Sequence, residues 1–277
     1  MGPARLAVYP SEVGSFDEFV ELRARGAIGW VRADVAARGL EAFWAALEPL
    51  PGAKGRGGVG RLDLGGLQLV VRPFRRGGAL GSLLKDRYRS PQRARAELAT
   101  LAALRHEGVP VAVPVAAVAR RRGAFWRLRL CTEWLPEAEP APAFLAHHPE
   151  LRRHVAGAIG TVVRLAFAAG LRHPDLHPDN VLCCARSDKV RAVLIDLDRA
   201  TLRTPLDDSE RDAMLVRMQR YLLRHRHKLA AVPTRAETMR FLRALWPERD
   251  ARHAAWRRLA TKLRASLRLR GWFRRGG

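Results

Sequence analysis

The 277-residue sequence has few cysteines and no long apolar run. Its three cysteines form neither a C-x-x-C pair nor a set of disulfide spacings, which favours a reducing compartment and buried packing roles. The longest apolar stretch, residues 108–119, is broken by Pro110 and Pro114 and is shorter than the roughly 18 residues that span a bilayer. Residues 1–10 lack a basic segment leading into an apolar one, so we expect no signal peptide. These absences predict a soluble or surface-bound cytoplasmic protein.

Lysine and acidic residues are also scarce. Only five of the 50 basic residues are lysine and only 27 residues are acidic, which gives a formal net charge of +23. A GC-rich genome explains the preference for arginine over lysine, but it does not explain the excess of basic over acidic residues. Such an excess predicts an anionic partner: nucleic acid, an acidic membrane face or a phosphorylated glycan. At 48% hydrophobic residues the chain can bury a core, as one large domain or two lobes.

The most informative motif is HPDLHPDN at residues 173–180, followed by a strand-like VLIDLD at residues 193–198. The pattern H-x-D-L-H-x-x-N, then a β-hairpin, then an apolar strand ending in Asp is typical of kinase-type phosphotransferases. In that order Asp175 is the candidate base for an acceptor hydroxyl, and Asn180 and Asp196 are the candidate Mg²⁺ ligands. The alternative is a polar turn and an unrelated strand that ends in Asp, which the order and spacing disfavour.

Four other polar residues in this region have lesser expected roles. We expect His173 to hold the loop in shape rather than transfer protons. We expect His177 to pack within the loop, and a direct catalytic role for it is the less favoured alternative. Asp179 and Asp198 are expected to make local hydrogen bonds.

Upstream, Gly55, Gly57 and Gly58 lie in a glycine-rich turn. It is flanked by the strand-like residues 61–64 and 67–71. Backbone N–H groups of such a turn approach phosphates closely, because no Cβ intervenes. An ordinary hairpin turn would look similar. The prediction therefore depends on the kinase-like distance between this turn and the catalytic motif.

Helical periodicity over residues 91–105 places Glu97 where a kinase has the glutamate that pairs with a cation on the preceding strand, and a solvated helix charge is the alternative. Strands are predicted over residues 109–118 and 126–134. The second contains Glu133 at the position of a hinge, whose backbone groups commonly bind adenine. A helix over residues 151–169 precedes the catalytic motif.

These elements predict an α+β, two-lobed protein-kinase-like fold with a small β-rich N-lobe and a larger, mostly helical C-lobe. We divide the chain into an N-terminal extension packing on the N-lobe (1–50), the N-lobe (51–136) and the C-lobe (137–277). The C-lobe ends in a basic amphipathic helix, with no acidic residue from Ala251 onward. That helix is either an interfacial anchor on anionic lipid or part of the C-lobe core. Its apolar stripe consists of Trp256, Leu259, Ala260, Leu263 and Leu267.

Three motifs carry a resemblance to a known family: GRG at residues 55–57, VRPFRRGG at 71–78 and LKDRYR at 84–89. On these, the chain resembles bacterial 3-deoxy-D-manno-octulosonic acid (Kdo) kinases, within the lipopolysaccharide core kinase family, over about residues 54–198. The chain departs from the family pattern at His177, where Kdo kinases tend to have Asn. It departs again at Pro73-Phe74, where the family has His-Tyr.

The resemblance implies ATP-dependent phosphorylation of a Kdo hydroxyl on Kdo-lipid A. ATP and Mg²⁺ are the implied cofactors, and the implied location is peripheral, at the cytoplasmic face of the bacterial inner membrane. Arg72 stands where most kinases have the phosphate-binding lysine, and an arginine there can pair with Glu97 and the phosphates. Lys85 is the alternative cation. Further candidates for binding the acceptor's anionic groups, with a solvated basic face as the alternative, are Arg75, Arg76, Lys85, Arg87 and Arg89.

Two other functions stay open. The first is another small-molecule or heptose kinase of the same fold, against which the RGG and KDRY motifs argue. The second is a catalytically idle, basic kinase-fold protein that binds nucleic acid. The complete set of Asp175, Asn180 and Asp196, and the lack of an aromatic RNA-binding motif among the arginines, disfavour nucleic acid as a partner.

Overall fold

The computed structural model describes residues 16–50, 58–75, 86–186, 189–229 and 232–275. The chain divides into two compact units. The first runs to His106 and includes Ala112–Pro136, and the second consists of Glu107–Val111 and the chain from Glu137 onward. None of the helices in the described ranges is both long and apolar enough to cross a bilayer.

The first unit is built on a seven-stranded antiparallel sheet, in the order β1-β2-β6-β7-β5-β4-β3. The N-terminal segment, which we expected to pack on this unit, supplies two strands at one edge of the sheet and a short strand at the other. The strands are β1 (Phe19–Ala24), β2 (Ala27–Arg32), β3 (Glu48–Pro49), β4 (Gly60–Asp63), β5 (Gln68–Pro73), β6 (Pro114–Arg122) and β7 (Phe125–Glu133).

Apolar side chains bury the central strands of this sheet. Val71, Val115 and Cys131 are fully buried, in a cluster that also includes Phe43 just after the short helix α1 (Gly39–Ala42). Burial raises the pKa of the Cys131 thiol to about 12, so this cysteine is a core side chain rather than a reactive thiol. Helix α2 (Gln92–His106) packs on β6 and β7.

Strand β6 begins five residues later than the sequence predicts. Prolines have no N–H to donate to a sheet, so Pro114 stands as the first residue of the strand and Pro110 lies outside it. Val111 instead forms an isolated parallel bridge with Leu194 in the second unit. The apolar run therefore serves both units rather than forming one continuous strand.

The second unit is mostly helical, and its short strands position the catalytic motif. The helices are α3 (Ala141–His147), α4 (Arg152–Ala168), α5 (Asp208–Arg224), α6 (Arg235–Leu245) and α7 (Arg249–Arg275). The strands are β8 (Glu139–Pro140), β9 (Leu171–Arg172), β10 (Val181–Arg186), β11 (Lys189–Leu194) and β12 (Thr201–Leu202). Strands β10 and β11 form a hairpin that pairs through β10 with β8, and β9 pairs with β12. The catalytic motif therefore lies between β9 and β10.

Helices α4 and α6 pack closely because α4 has a glycine at the crossing. A Cβ on Gly160 would lie 2.5 Å from the Phe241 carbonyl oxygen and 2.9 Å from the Ala244 Cβ. Both α5 and α6 begin with a capping box, in which Asp207 and Thr234 accept from the backbone N–H three residues later. The close contact and the capped N-termini stabilise the helices of the unit that contains the catalytic motif.

The basic C-terminal helix α7 is tied to α5 by a buried carboxylate. Asp212 is fully buried, and its Oδ2 lies 3.2 Å from Arg258 Nε and 2.9 Å from Lys262 Nζ. Ala255 on the same helix is also fully buried. A buried carboxylate needs such cations, so this part of α7 packs within the second unit.

Candidate active site

In the second unit, the catalytic motif is held by hydrogen bonds within its own loop. The backbone N–H of Asp175 donates to His173 Nδ1 at 3.1 Å, and Asn180 Nδ2 donates to the Asp175 carbonyl at 2.9 Å. His173 is only 2% exposed. Burial lowers the pKa of His173 and the nearby carboxylates Asp196 and Asp175 oppose that shift. A buried ring that accepts a backbone N–H has a positioning role, as the sequence predicts.

The two candidate metal ligands are brought together by the backbone. The Ile195 N–H donates to the Asn180 carbonyl at 3.0 Å. Asp196 is the next residue in the chain, so this hydrogen bond holds its backbone close to Asn180. Asp196 has φ of 54°, in the left-handed region, where the chain leaves β11 and turns. Its side chain is exposed. Such backbone conformations are concentrated at functional sites.

The residues present fit a magnesium ion that arrives with a nucleotide. Mg²⁺ takes oxygen ligands, usually one or two carboxylates with substrate phosphates and water. Because the Asn180 amide nitrogen is bonded to the Asp175 carbonyl, its amide oxygen is left for another partner, and Asp196 adds a carboxylate. Among the described residues, no group of three or more His, Cys, Asp and Glu side chains could hold a metal ion alone.

The candidate base is open to solvent. The Asp175 side chain is 71% exposed, and its Oδ2 lies 3.3 Å from His177 Nε2. The His177 ring is 13% exposed and stacks on Tyr221, with ring centroids 4.3 Å apart and planes 7° apart. An exposed carboxylate on an ordered loop is suited to accept a proton from a bound acceptor.

Helix α5 supplies supporting residues that the sequence prediction missed. Met214 Sδ accepts the His173 backbone N–H at 3.3 Å, and Arg217 Nη1 donates to the Pro174 carbonyl. The Tyr221 hydroxyl donates to Asp179, one turn further along the same helix. Their spacing of three and four residues puts all three on one face of α5. That periodicity is visible in the sequence, but nothing local connects it to a loop about 40 residues earlier.

In the first unit, the candidate phosphate-side residues meet. Arg72 on β5 donates to Glu97 on α2, with Nη2 and Oε1 2.5 Å apart. The Glu97 side chain is 3% exposed, and the Arg72 guanidinium lies 4.8 Å from the centre of the Phe74 ring. This is the strand-to-helix ion pair that the sequence predicts. Lys85, the alternative cation, lies outside the described residues, as do Arg76, Gly55 and Gly57.

The remaining nucleotide-side candidates lie in the same unit. Gly58 has φ of 98°, a conformation that favours glycine, and a Cβ there would lie 3.9 Å from Arg75 Nη2. Glu133 Oε1 accepts from Arg32 at 2.6 Å. Its backbone N–H donates to Val113, and the next N–H, of Trp134, donates to Gln68. These two hinge amides are thus engaged within the sheet.

The predicted substrate-binding arginines lie on the exposed surface of the first unit. Arg75, Arg87 and Arg89 are all exposed. The Arg87 guanidinium lies 5.9 Å from the centre of the Phe125 ring. Tyr88 between them is buried and forms an isolated bridge with Trp126, which fixes the backbone of this segment against β7.

An apolar cavity of about 330 Å³ lies within the second unit. Its walls come from helices α3 to α7 and from Pro178 of the catalytic motif. Four of the five residues in the predicted apolar stripe of α7 line it, namely Trp256, Leu259, Ala260 and Leu263. Leu259, Ala260 and Leu263 are half-buried there, whereas Trp256 and Leu267 are exposed.

These features define a protein-kinase-like phosphotransferase with an alcohol group as acceptor. The lipopolysaccharide kinase (Kdo/WaaP) family matches residues 41–251, and the chain belongs to that family. It is a lipopolysaccharide core kinase.

Curated relatives support this assignment. The 3-deoxy-D-manno-octulosonic acid kinase of Vibrio vulnificus (strain YJ016) is 33% identical over 162 residues, which cover 57% of this chain and 67% of that protein. The protein of the same description from Xanthomonas oryzae pv. oryzae (strain PXO99A) is 34% identical over 178 residues, covering 62% and 68%. This chain thus spans about two thirds of their length.

A solved structure shows the same fold. The structure described as WaaP in complex with acyl carrier protein superposes with a TM-score of 0.51 and 21% identity, over 88% of this chain and 91% of that one. The predicted two-lobed α+β kinase-like fold is confirmed.

Proposed function

We propose that this chain transfers the γ-phosphoryl group of ATP to a hydroxyl of Kdo on Kdo-lipid A. The observation that carries the proposal is the hydrogen-bonded loop that holds Asp175 and Asn180 beside Asp196, in a chain about one third identical to Kdo kinases. The acceptor's phosphates and carboxylates match the net charge of +23.

Asp175 is the proposed general base. Its carboxylate accepts the proton of the sugar hydroxyl as that oxygen bonds to the γ-phosphorus. The bond from this phosphorus to the β–γ bridging oxygen breaks, and ADP leaves. Asn180 and Asp196 are the residues that would hold Mg²⁺, which supplies charge neutralisation at the phosphates when bound. Arg72, oriented by Glu97, is the proposed phosphate-binding cation in the first unit.

The test is phosphotransfer by the purified chain from radiolabelled ATP to Kdo-lipid A, with mass spectrometry to locate the phosphate. We expect label on Kdo, and a loss of Mg²⁺-dependent transfer in Asp196→Asn, because the metal-binding charge is removed. A heptosylated core, an aminoglycoside and RNA serve as alternative acceptors. Phosphate on heptose, or transfer that does not involve Kdo, would overturn the proposed acceptor. An Asp196→Asn variant with the parent's Mg²⁺ dependence would overturn the metal assignment.

We also propose that the apolar cavity binds an acyl chain of the lipid A part of the acceptor. Its lining is mostly apolar, its volume is within the range of ligand-binding pockets, and Pro178 of the catalytic motif forms part of its wall. The substitution Ala156→Phe fills the cavity from α4. We expect it to lower kcat/KM for Kdo-lipid A by about 10-fold, the effect of losing roughly 1.4 kcal/mol of binding, and to spare a deacylated acceptor. Equal losses on both acceptors would contradict the acyl-chain site.

The proposed location is the anionic face of the inner membrane. Arg257, Arg264 and Arg268 are exposed on α7, and their spacing puts them on one face of the helix. This face differs from the one that lines the cavity. Each basic residue at an anionic surface contributes about 1 kcal/mol. We expect the triple alanine variant to bind anionic vesicles more weakly at low salt. The matched control replaces three exposed arginines of the first unit, Arg25, Arg105 and Arg122. Equal binding by both variants would exclude α7 as the contact.

A further inference from the structure

The catalytic carboxylate has a neighbour whose position is set by helix α5. His177 Nε2 lies 3.3 Å from Asp175 Oδ2 and 3.4 Å from Asn180 Nδ2. The ring is nearly buried, whereas the carboxylate is mostly exposed. The contact therefore joins the exposed Asp175 carboxylate to the His177 ring, which is packed and has little freedom to move.

Tyr221 fixes the ring. It stacks on His177 almost in parallel and also contacts the ring of His225, with centroids 4.1 Å apart. Its hydroxyl donates to Asp179. Burial and the Asp179 carboxylate raise the pKa of Tyr221, so the phenol keeps its proton and remains a donor. Tyr221, itself packed against His225 at the end of α5, thus holds His177 from one face.

The hydrogen-bond network assigns the proton on the His177 ring. The Nδ1 atom is buried and has no hydrogen-bond partner among the described residues. A buried Nδ1 without a partner is unsatisfied whether it is a donor or an acceptor, so the neighbour of Nε2 decides the tautomer. The ionised Asp175 carboxylate can only accept, and the neutral ring therefore carries its proton on Nε2. The Asn180 amide nitrogen already donates to the Asp175 carbonyl. His177 Nε2–H is consequently a donor to Asp175 Oδ2.

We propose that His177 is a positioning residue for the catalytic base, seated on Tyr221 and donating to Asp175 Oδ2. The bond holds one carboxylate oxygen and directs the other, Oδ1, toward the acceptor hydroxyl. This inference rests on the proposed role of Asp175 as the base. Misplacing a reacting group by about 1 Å can cost about 100-fold in rate, so fixing the carboxylate has a measurable value.

Two substitutions separate the hydrogen bond from the stacking. His177→Phe keeps a ring on Tyr221 and removes the donor, while His177→Gln removes the ring and keeps an N–H donor. We expect His177→Phe to lower kcat for Kdo-lipid A by about 10- to 100-fold, with KM for ATP and thermal stability close to the parent's. His177→Gln should recover a large part of that loss. Full activity in His177→Phe, or equal losses in both variants, would overturn the proposal.

A measurement that needs no acceptor keeps the inference independent of the proposed function. Side-chain ¹⁵N NMR of the histidines should show an Nε2–H signal of His177 that shifts in Asp175→Asn and does not shift in the remote control Asp250→Asn. If the parent fails to phosphorylate Kdo-lipid A, the proposed acceptor is wrong, and the NMR signal still decides the contact. An Nδ1–H tautomer, or a signal unaffected by Asp175→Asn, would overturn the positioning role.

Discussion

Two candidate carboxylates, one in each unit, are held in opposite ways. Glu97 in the sheet unit is almost fully buried and lies 2.5 Å from Arg72, whose guanidinium also packs on Phe74. Asp175 in the helical unit is 71% exposed and contacts His177. One carboxylate is enclosed with its cation, and the other is open on a loop that its backbone and α5 hold in place.

The difference follows from what each group does. A buried carboxylate that loses a cation loses a charge-assisted hydrogen bond, so we expect the Arg72–Glu97 pair to stabilise the sheet unit in addition to its proposed role. In its proposed role as general base, Asp175 must reach a proton on another molecule, which its exposed position allows. The comparison predicts that replacing the open Asp175 changes activity alone, and that replacing a member of the enclosed Arg72–Glu97 pair changes stability as well.

The largest effect is expected for Asp175→Asn. Removing the base should lower kcat for transfer to Kdo-lipid A by about 10²–10⁴-fold, the usual contribution of general-base catalysis. ATP binding and the melting temperature should stay close to the parent's, because the side chain is exposed. Steady-state kinetics and thermal unfolding check both parts. The control is Glu150→Gln, a 65% exposed carboxylate of the same unit. Near-parent turnover in Asp175→Asn would exclude this residue as the base.

Arg72→Ala should change both activity and stability. We expect the apparent KM for ATP to rise by about 10-fold, equivalent to about 1.4 kcal/mol of lost phosphate binding. The free energy of unfolding should fall by about 1–3 kcal/mol, since the buried Glu97 loses the charge-assisted hydrogen bond from Arg72. Arg61→Ala is the matched control, because Arg61 pairs with Glu48 at 2.9 Å on the exposed surface of the same sheet. Unchanged ATP kinetics in a stable Arg72→Ala variant would assign the phosphate role to another cation.

The sequence predicted the parts of the site that are local in the chain. His173 to Asn180 form one loop, and the hairpin and Asp196 follow directly, so their spacing alone carries the prediction. Periodicity also predicted the helix containing Glu97, whereas the predicted strand over residues 67–71 stops one residue short of Arg72, which lies within β5. The support from Met214, Arg217 and Tyr221 was not predicted, because it depends on packing between segments about 40 residues apart.

Two structural expectations show where periodicity is insufficient. The apolar run over residues 109–118 predicted one strand, but prolines without N–H donors delay the strand to Pro114. The apolar stripe of α7 was compatible with a lipid anchor or a core position, since both bury one face of a helix. The contacts of Asp212 with Arg258 and Lys262 pack a neighbouring face of α7 against α5, whereas the stripe itself lines the cavity and leaves Trp256 and Leu267 exposed.

Asp212→Ala sharpens the comparison within the helical unit. Asp212 is as enclosed as Glu97 but lies away from the predicted catalytic residues along the chain, so its loss should affect stability alone. We expect the free energy of unfolding to fall by about 1–3 kcal/mol, because Arg258 and Lys262 lose charge-assisted hydrogen bonds but remain 34% and 41% exposed. The KM for ATP should be unchanged at a temperature where the variant is folded. Denaturant unfolding measures the first quantity. A change below about 1 kcal/mol would show that α7 does not depend on this carboxylate.

The smallest expected effect concerns pH and the enclosed pair Arg152–Glu237. Both guanidinium contacts are short, at 2.6 and 2.9 Å, and the Thr234 N–H also donates to Glu237 at 2.7 Å. The hydrogen bond from Arg152 is the main cause that lowers the pKa of Glu237 from 4.5 to about 2. A carboxyl with a lowered pKa in the folded state stabilises the protein above pH 4.5, and that stabilisation is lost as the pH falls toward 2.

The difference in unfolding free energy between the parent and Glu237→Gln should therefore be largest near neutral pH and shrink as the pH falls below 4.5. Chemical unfolding at a series of pH values measures it, with Glu150→Gln as the exposed control. A difference that stays constant down to pH 2.5 would mean that Arg152 does not hold Glu237 ionised. Glu237 would then contribute no more to the pH dependence of stability than an exposed carboxylate does.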